Sequence, residues 1–103
     1  MTYQLVVIYH HPTDADAFDR HYAETHAPLA STLPGLRSYT TVSPDPGADG
    51  TRAEHLIATL TFDDAQAFQA AMGSEAGQAA VGDLANFASG GATIVSGGVT
   101  TIV

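Results

Sequence analysis

Residues 3–10, YQLVVIYH, carry apolar side chains on both alternating faces, Leu5 and Val7 on one and Val6 and Ile8 on the other. That pattern predicts a strand covered on both sides. Pro12 ends it, and Thr13 or Asp14 can cap a helix beginning there. From Asp14 to about Thr32 the period becomes helical, with Phe18, Tyr22, Thr25, Leu29 and Leu33 in one stripe. Pro34-Gly35 signals a turn, and Leu36 to Ser43 reads as a second strand. The stretch SPDPGADGTR, residues 43–52, predicts an exposed hairpin loop. Residues 54–62, EHLIATLTF, give a third strand with Leu56, Ala58, Leu60 and Phe62 on one face. His55, Ile57, Thr59 and Thr61 fall on the other.

Asp63 or Asp64 can cap a second helix carrying Phe68, Ala71 and Met72. Gly73-Ser74 interrupts it, and a further helical stretch turns Val81, Leu84 and Phe87 inward. After Gly90-Gly91 comes a last strand, ATIVSGGVTTIV, with a bulge or bend expected at Gly97-Gly98. The order is β-α-β-β-α-β, a ferredoxin-like α+β domain spanning residues 1–103 around a four-stranded antiparallel sheet. Such a sheet has helices on one face only, yet its first strand is apolar on both. An uncovered apolar face is a sticky patch. The expected resolution is a homodimer in which two sheets close face to face into a barrel.

Composition narrows the function. Three arginines, no lysine and eleven acids give a formal charge of −8. Nucleic-acid binding needs a cationic footprint, so no nucleic-acid partner is expected. Anionic membrane surfaces are disfavoured too, and the apolar run near the N-terminus is too short for a signal peptide or a span. A cytoplasmic location is expected. There are no cysteines, which removes thiolate catalysis and Cys-ligated metals. No G-x-G-x-x-G follows a strand, and no P-loop or G-x-S-x-G elbow is present. No cofactor is expected.

Candidate chemistry sits on the first helix, HYAETHAPL. Pro28 cannot donate an N–H, so the Glu24 carbonyl loses its α-helical partner and a kink or break is expected near Ala27. His26 lies about 60° from the stripe centre at Leu29, beside that disturbance. An imidazole with a pKa near ~6.5 can act there as acid or base, or can satisfy a freed carbonyl. His21 lies about 80° off on the other side, suited to pairing with Asp14 or Asp16. In an α-helix, positions five apart differ by about 140°, so a metal shared by the two histidines is not expected.

The motifs F-x-x-H-Y…H-x-P-L (Phe18, His21, Tyr22, His26, Pro28, Leu29) and L-P-G-L (Leu33–Leu36) resemble the EthD family of dimeric α/β-barrel proteins. So do Ser74, Gly77, Asp83, Leu84 and Phe87 near the C-terminus. The resemblance covers roughly residues 4 to 95, with Ala76 a departure where the pattern has Glu or Pro. It implies a cavity between the first helix and the sheet that binds a small hydrophobic or aromatic molecule. The chemistry implied is cofactor-independent acid–base or oxidative, of oxidoreductase type, in ether degradation beside a cytochrome P450 system or in secondary metabolism. A non-catalytic accessory to a partner oxygenase and a polyketide cyclase or dehydratase-type lyase are the alternatives. On this reading His26, Tyr22 and His55 are the catalytic candidates. Tyr39, His21, His11, Asp83 and Phe87 are the binding candidates, with Asp83 able to orient an imidazole. One of His10 and His11 should face the interior.

Overall fold

Strand β1 (Tyr3–His10) runs inside a four-stranded sheet, antiparallel throughout, in the order β2 (Ser38–Val42), β3 (Glu54–Phe62), β1, β4 (Ala92–Gly98). The structure is a computed structural model that describes residues 2–103. After β1 come α1 (Ala15–His21), a π-helical turn (Tyr22–His26) and α2 (Ala27–Ala30). Beyond them lie β2 (Ser38–Val42), β3 (Glu54–Phe62), α3 (Ala65–Gly73), α4 (Glu75–Phe87) and β4 (Ala92–Gly98). This is the expected α+β, ferredoxin-like plan.

Register decides which side chains meet the helices. Leu5 pairs with Leu60, Val7 with Ala58 and Tyr9 with Leu56, and this face is buried under the helical layer. The opposite face carries Val6, Ile8 and Ile57, half-buried, with Val42 and Val95 exposed. Tyr9, Phe18 and Phe62 are the largest fully buried side chains. Burying each such side chain contributes about 1.5–3 kcal/mol.

Helix starts are set by two acids and a serine. Asp14 accepts from the Ala17 N–H at 3.0 Å, Asp64 from Ala67 at 2.8 Å, and Ser74 Oγ from Gly77 at 3.1 Å. Such caps contribute about 1 kcal/mol each. Asp63 is not a cap; it takes a bidentate pair from Arg37 at 2.9 and 2.7 Å, joining the approach to β2 to the end of β3.

Two local expectations change, and a third takes a definite form. Val81 is 54% exposed, and Gly77, Ala80, Asp83 and Phe87 form the buried stripe of α4. Gly97 and Gly98 pair in register with Gln4 and Tyr3, so they finish β4 rather than interrupt it. The disturbance expected near Ala27 takes the form of a π turn, Tyr22–His26, between α1 and α2. No helix among the described residues is long and apolar enough to cross a membrane.

Candidate functional site

A cavity of about 140 Å³ lies between the sheet and the helical layer. Leu5, Val7, Ala58 and Leu60 form its sheet wall, and Phe68, Met72 and Leu84 close it from the helices. Tyr9, His26 and Tyr39 supply its titratable groups. Val81 and Ile94 also line it and are about half exposed, so its mouth lies between α4 and β4.

The π turn puts His26 there. The Ala27 N–H donates to the Tyr22 carbonyl, an i→i+5 bond enclosing one residue more than an α-turn. Pro28, immediately after, has no N–H to restore the α-register at Glu24. The extra residue moves the buried stripe by one position. Thr25 is exposed and Leu29 only half-buried, whereas His26 and Ala30 are buried. It also nearly aligns residues five apart, so His21 and His26, expected on divergent faces, converge on one carboxylate.

That carboxylate is Asp83 of α4, 7% exposed. Asp83 Oδ2 lies 3.0 Å from His26 Nδ1, and its two oxygens lie 2.8 and 3.0 Å from His21 Nε2. The Asn86 amide donates to Oδ1 at 2.9 Å. Burial works against ionisation of Asp83, but the hydrogen bonds from Asn86, His21 and His26 outweigh it and hold the carboxyl below its ordinary range. An ionised carboxylate only accepts, so both histidines donate to it. His26, 5% exposed, has its pKa lowered by burial, with Asp83 partly offsetting the shift. It is therefore neutral at pH 7, protonated at Nδ1 and unprotonated at Nε2. Nε2 lies 3.4 Å from the Tyr9 hydroxyl. Burial raises the Tyr9 pKa, so that group is a phenol that donates.

Tyr22 and Tyr39 share a hydrogen bond between their hydroxyls, and burial raises both pKa values. Tyr39 reaches the cavity, while Tyr22 stands behind it, 5.3 Å from the His26 ring. Phe87 stacks on His21 at 5.1 Å and packs 4.8 Å from His26, holding the two imidazoles from outside the cavity. The His21 side chain is 28% exposed and faces a separate outer groove with Asn86 and Ser89.

His55 and His11 lie elsewhere. A register shift sets His10 opposite Glu54 and Tyr9 opposite Leu56, leaving His55 as the extra residue of a bulge. The alternation expected for His55 fails there. Its ring packs edge-on to Phe18 at 4.7 Å, on the helix side, and its Nε2 meets Asp19 at 2.7 Å. His11 comes just after the end of β1, is exposed, and sits edge-on to His55 at 5.5 Å. His10 faces the uncovered side, bonded to Thr93 Oγ1 at 2.9 Å. Neither lines the cavity.

Tyr9 is the functional candidate that sequence reasoning passed over. Its alternation with Leu5 and Val7 was legible, and a phenol at the end of an apolar strand face needs a buried partner. Among the described residues no cluster of three or more His, Cys, Asp or Glu could hold a metal ion.

Residues 10–91 match the EthD domain. The chain belongs to the EthD family. It is 34% identical over 93 residues, 90% of each chain, to an uncharacterised 11.0 kDa protein in the thcB–thcC intergenic region of Rhodococcus erythropolis. An EthD-family protein from Bacillus halodurans superposes with a TM-score of 0.91 at 33% identity, covering 97% of this chain and 100% of that one. At lower identity the EthD fold extends to a dimeric ferredoxin-like protein from Thermobifida fusca. That match has 15% identity, coverage of 96% and 92%, and a TM-score of 0.72. SnoaB from Streptomyces nogalater, a cofactor-independent oxygenase, matches at 18% identity, coverage of 99% and 93%, and a TM-score of 0.63.

Proposed function

We propose that this EthD protein binds a small, largely apolar molecule in the cavity and moves a proton to or from it, with His26 as the general base. The observation that carries this reading is the orientation of His26. Asp83 engages Nδ1, which leaves the basic Nε2 on the Tyr9 side, in an apolar cavity. An acidic partner behind a neutral imidazole fixes its tautomer and stabilises the imidazolium formed when it accepts a proton. Tyr9 and Tyr39 are O–H donors for charge developing on a substrate oxygen. Such a base needs no bound cofactor to generate a carbanion or enolate. The same apparatus serves an isomerisation or cyclisation or, with dioxygen as co-substrate, an oxygenation of that anion; a protein of the same fold is a cofactor-independent oxygenase. Ether or xenobiotic degradation beside a cytochrome P450 system, in the cytoplasm, is the setting we favour.

Hydrogen–deuterium exchange tests the catalytic claim. Small enolisable ketones and phenolic compounds, incubated with the protein in D₂O, should exchange their acidic C–H faster than in buffer, as read by proton NMR. His26→Ala should lower that rate by about 10²–10⁴-fold while saturable ligand shifts persist. An unchanged rate in His26→Ala would remove the base assignment. Binding without any exchange in the unaltered protein would leave an accessory binding module.

We also propose a homodimer in which two sheets meet through Val6, Ile8, Ile57, Val42 and Val95, the apolar face no helix covers. The dimeric Thermobifida fusca neighbour supports it. Sedimentation equilibrium at micromolar concentration should give twice the chain mass of 10.6 kDa; a monodisperse species at the chain mass would refute the dimer.

A further inference from the structure

Size, charge and hydrogen-bonding polarity together specify the kind of molecule the cavity can hold. This step rests on the reading of the cavity as the ligand site and names what occupies it. We propose that the occupant is a small uncharged phenol: one aromatic ring, with its hydroxyl seated between His26 Nε2 and the Tyr9 hydroxyl.

Volume limits the occupant first. The space is about 140 Å³, and an apolar protein cavity of about 150 Å³ holds a benzene molecule. One ring fills the space; a larger skeleton has to extend out through the mouth between α4 and β4. Charge limits it next. Among the described residues no Asp, Glu, Lys or Arg lines the space. Arg37 is engaged by Asp63, and Arg52 donates to the His55 carbonyl at the far end of β3. A carboxylate or phosphate would thus enter an apolar space without a counter-charge, which is strongly unfavourable.

Hydrogen-bonding polarity limits it last. Nε2 of His26 presents a lone pair, because the Nδ1 proton is committed to Asp83. The ligand must therefore bring a donor. Tyr9 now faces that lone pair across 3.4 Å, longer than the usual range of about 2.7–3.2 Å. A ligand hydroxyl inserted there donates to Nε2 and accepts from Tyr9, two shorter bonds in place of one long one. An ether has only acceptors and leaves Nε2 unmatched; a ketone also lacks a donor and presents only an α C–H to the base, so it binds more weakly than a phenol. An aromatic body is favoured over a saturated one of equal size by an aromatic and a thioether residue, Phe68 and Met72, in the lining.

Calorimetric titration of the full-length protein at neutral pH with phenol, toluene, anisole and benzoate tests this. Phenol should bind at least about 10-fold more tightly than toluene or anisole, the worth of roughly one hydrogen bond. Benzoate should bind more weakly than toluene. His26→Phe should reduce phenol to the level of toluene while toluene is retained, and toluene binding itself reports that the variant is folded. Tyr9→Phe should lose part of the preference, which keeps the test open if His26→Phe does not fold. Equal binding of phenol and toluene would overturn the phenol assignment and leave the cavity as a ligand site. So would a phenol preference that survives His26→Phe, or benzoate as the tightest ligand. If none of the four binds, the ligand-site reading falls with it.

Discussion

Replacing Phe18 with alanine should cost about 3–5 kcal/mol of folding stability, the range for a fully buried phenylalanine that leaves a cavity. Phe18 is 2% exposed and occupies the middle of an aromatic cluster. Tyr9, Tyr22, Phe87 and His55 lie around it with ring centres at 5.3, 5.9, 5.0 and 4.7 Å. At about 4–8 °C per kcal/mol for a domain near this size, the thermal midpoint should fall by at least about 12 °C, read by circular dichroism. Phe18 does not touch the cavity, but three of its neighbours touch His26, so the imidazole should lose its fixed orientation as the cluster relaxes. A change smaller than about 1 kcal/mol would mean that the site is held by α4 and Asp83 alone.

Much of this arrangement was legible in the hydrophobic pattern. The alternation of Leu5, Val7 and Tyr9 against Val6 and Ile8 gave the strand and its two apolar faces, but not which of them meets the helices. Phe18 and Tyr22 gave the first helix and its inward side. What escaped were the two places where the backbone adds a residue. A helical wheel assumes about 100° per residue, so it cannot foresee the π turn before Pro28. That turn carries His26 from the border of the stripe to its buried centre and brings His21 alongside. Strand alternation likewise assumes an unbroken ladder, and the bulge at His55 reverses the face on which that ring lies. Asp83 was legible as a group able to orient an imidazole; that it gathers two depends on the three-dimensional path.

Changing Asp83 to asparagine should weaken His26 as a base while leaving the fold in place. Burial lowers the His26 pKa, and Asp83 is the group that works against that shift. Without the carboxylate the value falls further, the Nδ1 tautomer is no longer enforced, and Nε2 loses basicity toward the cavity. Proton exchange on a bound ligand should then drop by about 10²–10⁴-fold. Stability should fall by about 1–3 kcal/mol, the penalty for a buried donor with a poorer partner.

The pH dependence carries the same sign. In the unaltered protein the unfolded chain binds the His26 proton first as pH drops below about 6.5. The stability contributed by keeping His26 neutral is thus complete above that value, and it declines toward the lowered folded value. Asp83 contributes in a lower window: its stabilisation is present above the ordinary value of 3.8 and disappears as pH falls through its lowered value. In Asp83→Asn the second window vanishes and the first widens. Titration of ¹⁵N-labelled histidines by NMR, with denaturant midpoints taken across the same pH range, reads both. His26 in Asp83→Asn titrating at or above its value in the unaltered protein would show that another group sustains its basicity, and the Asp83–His26 pair would lose its place in the mechanism.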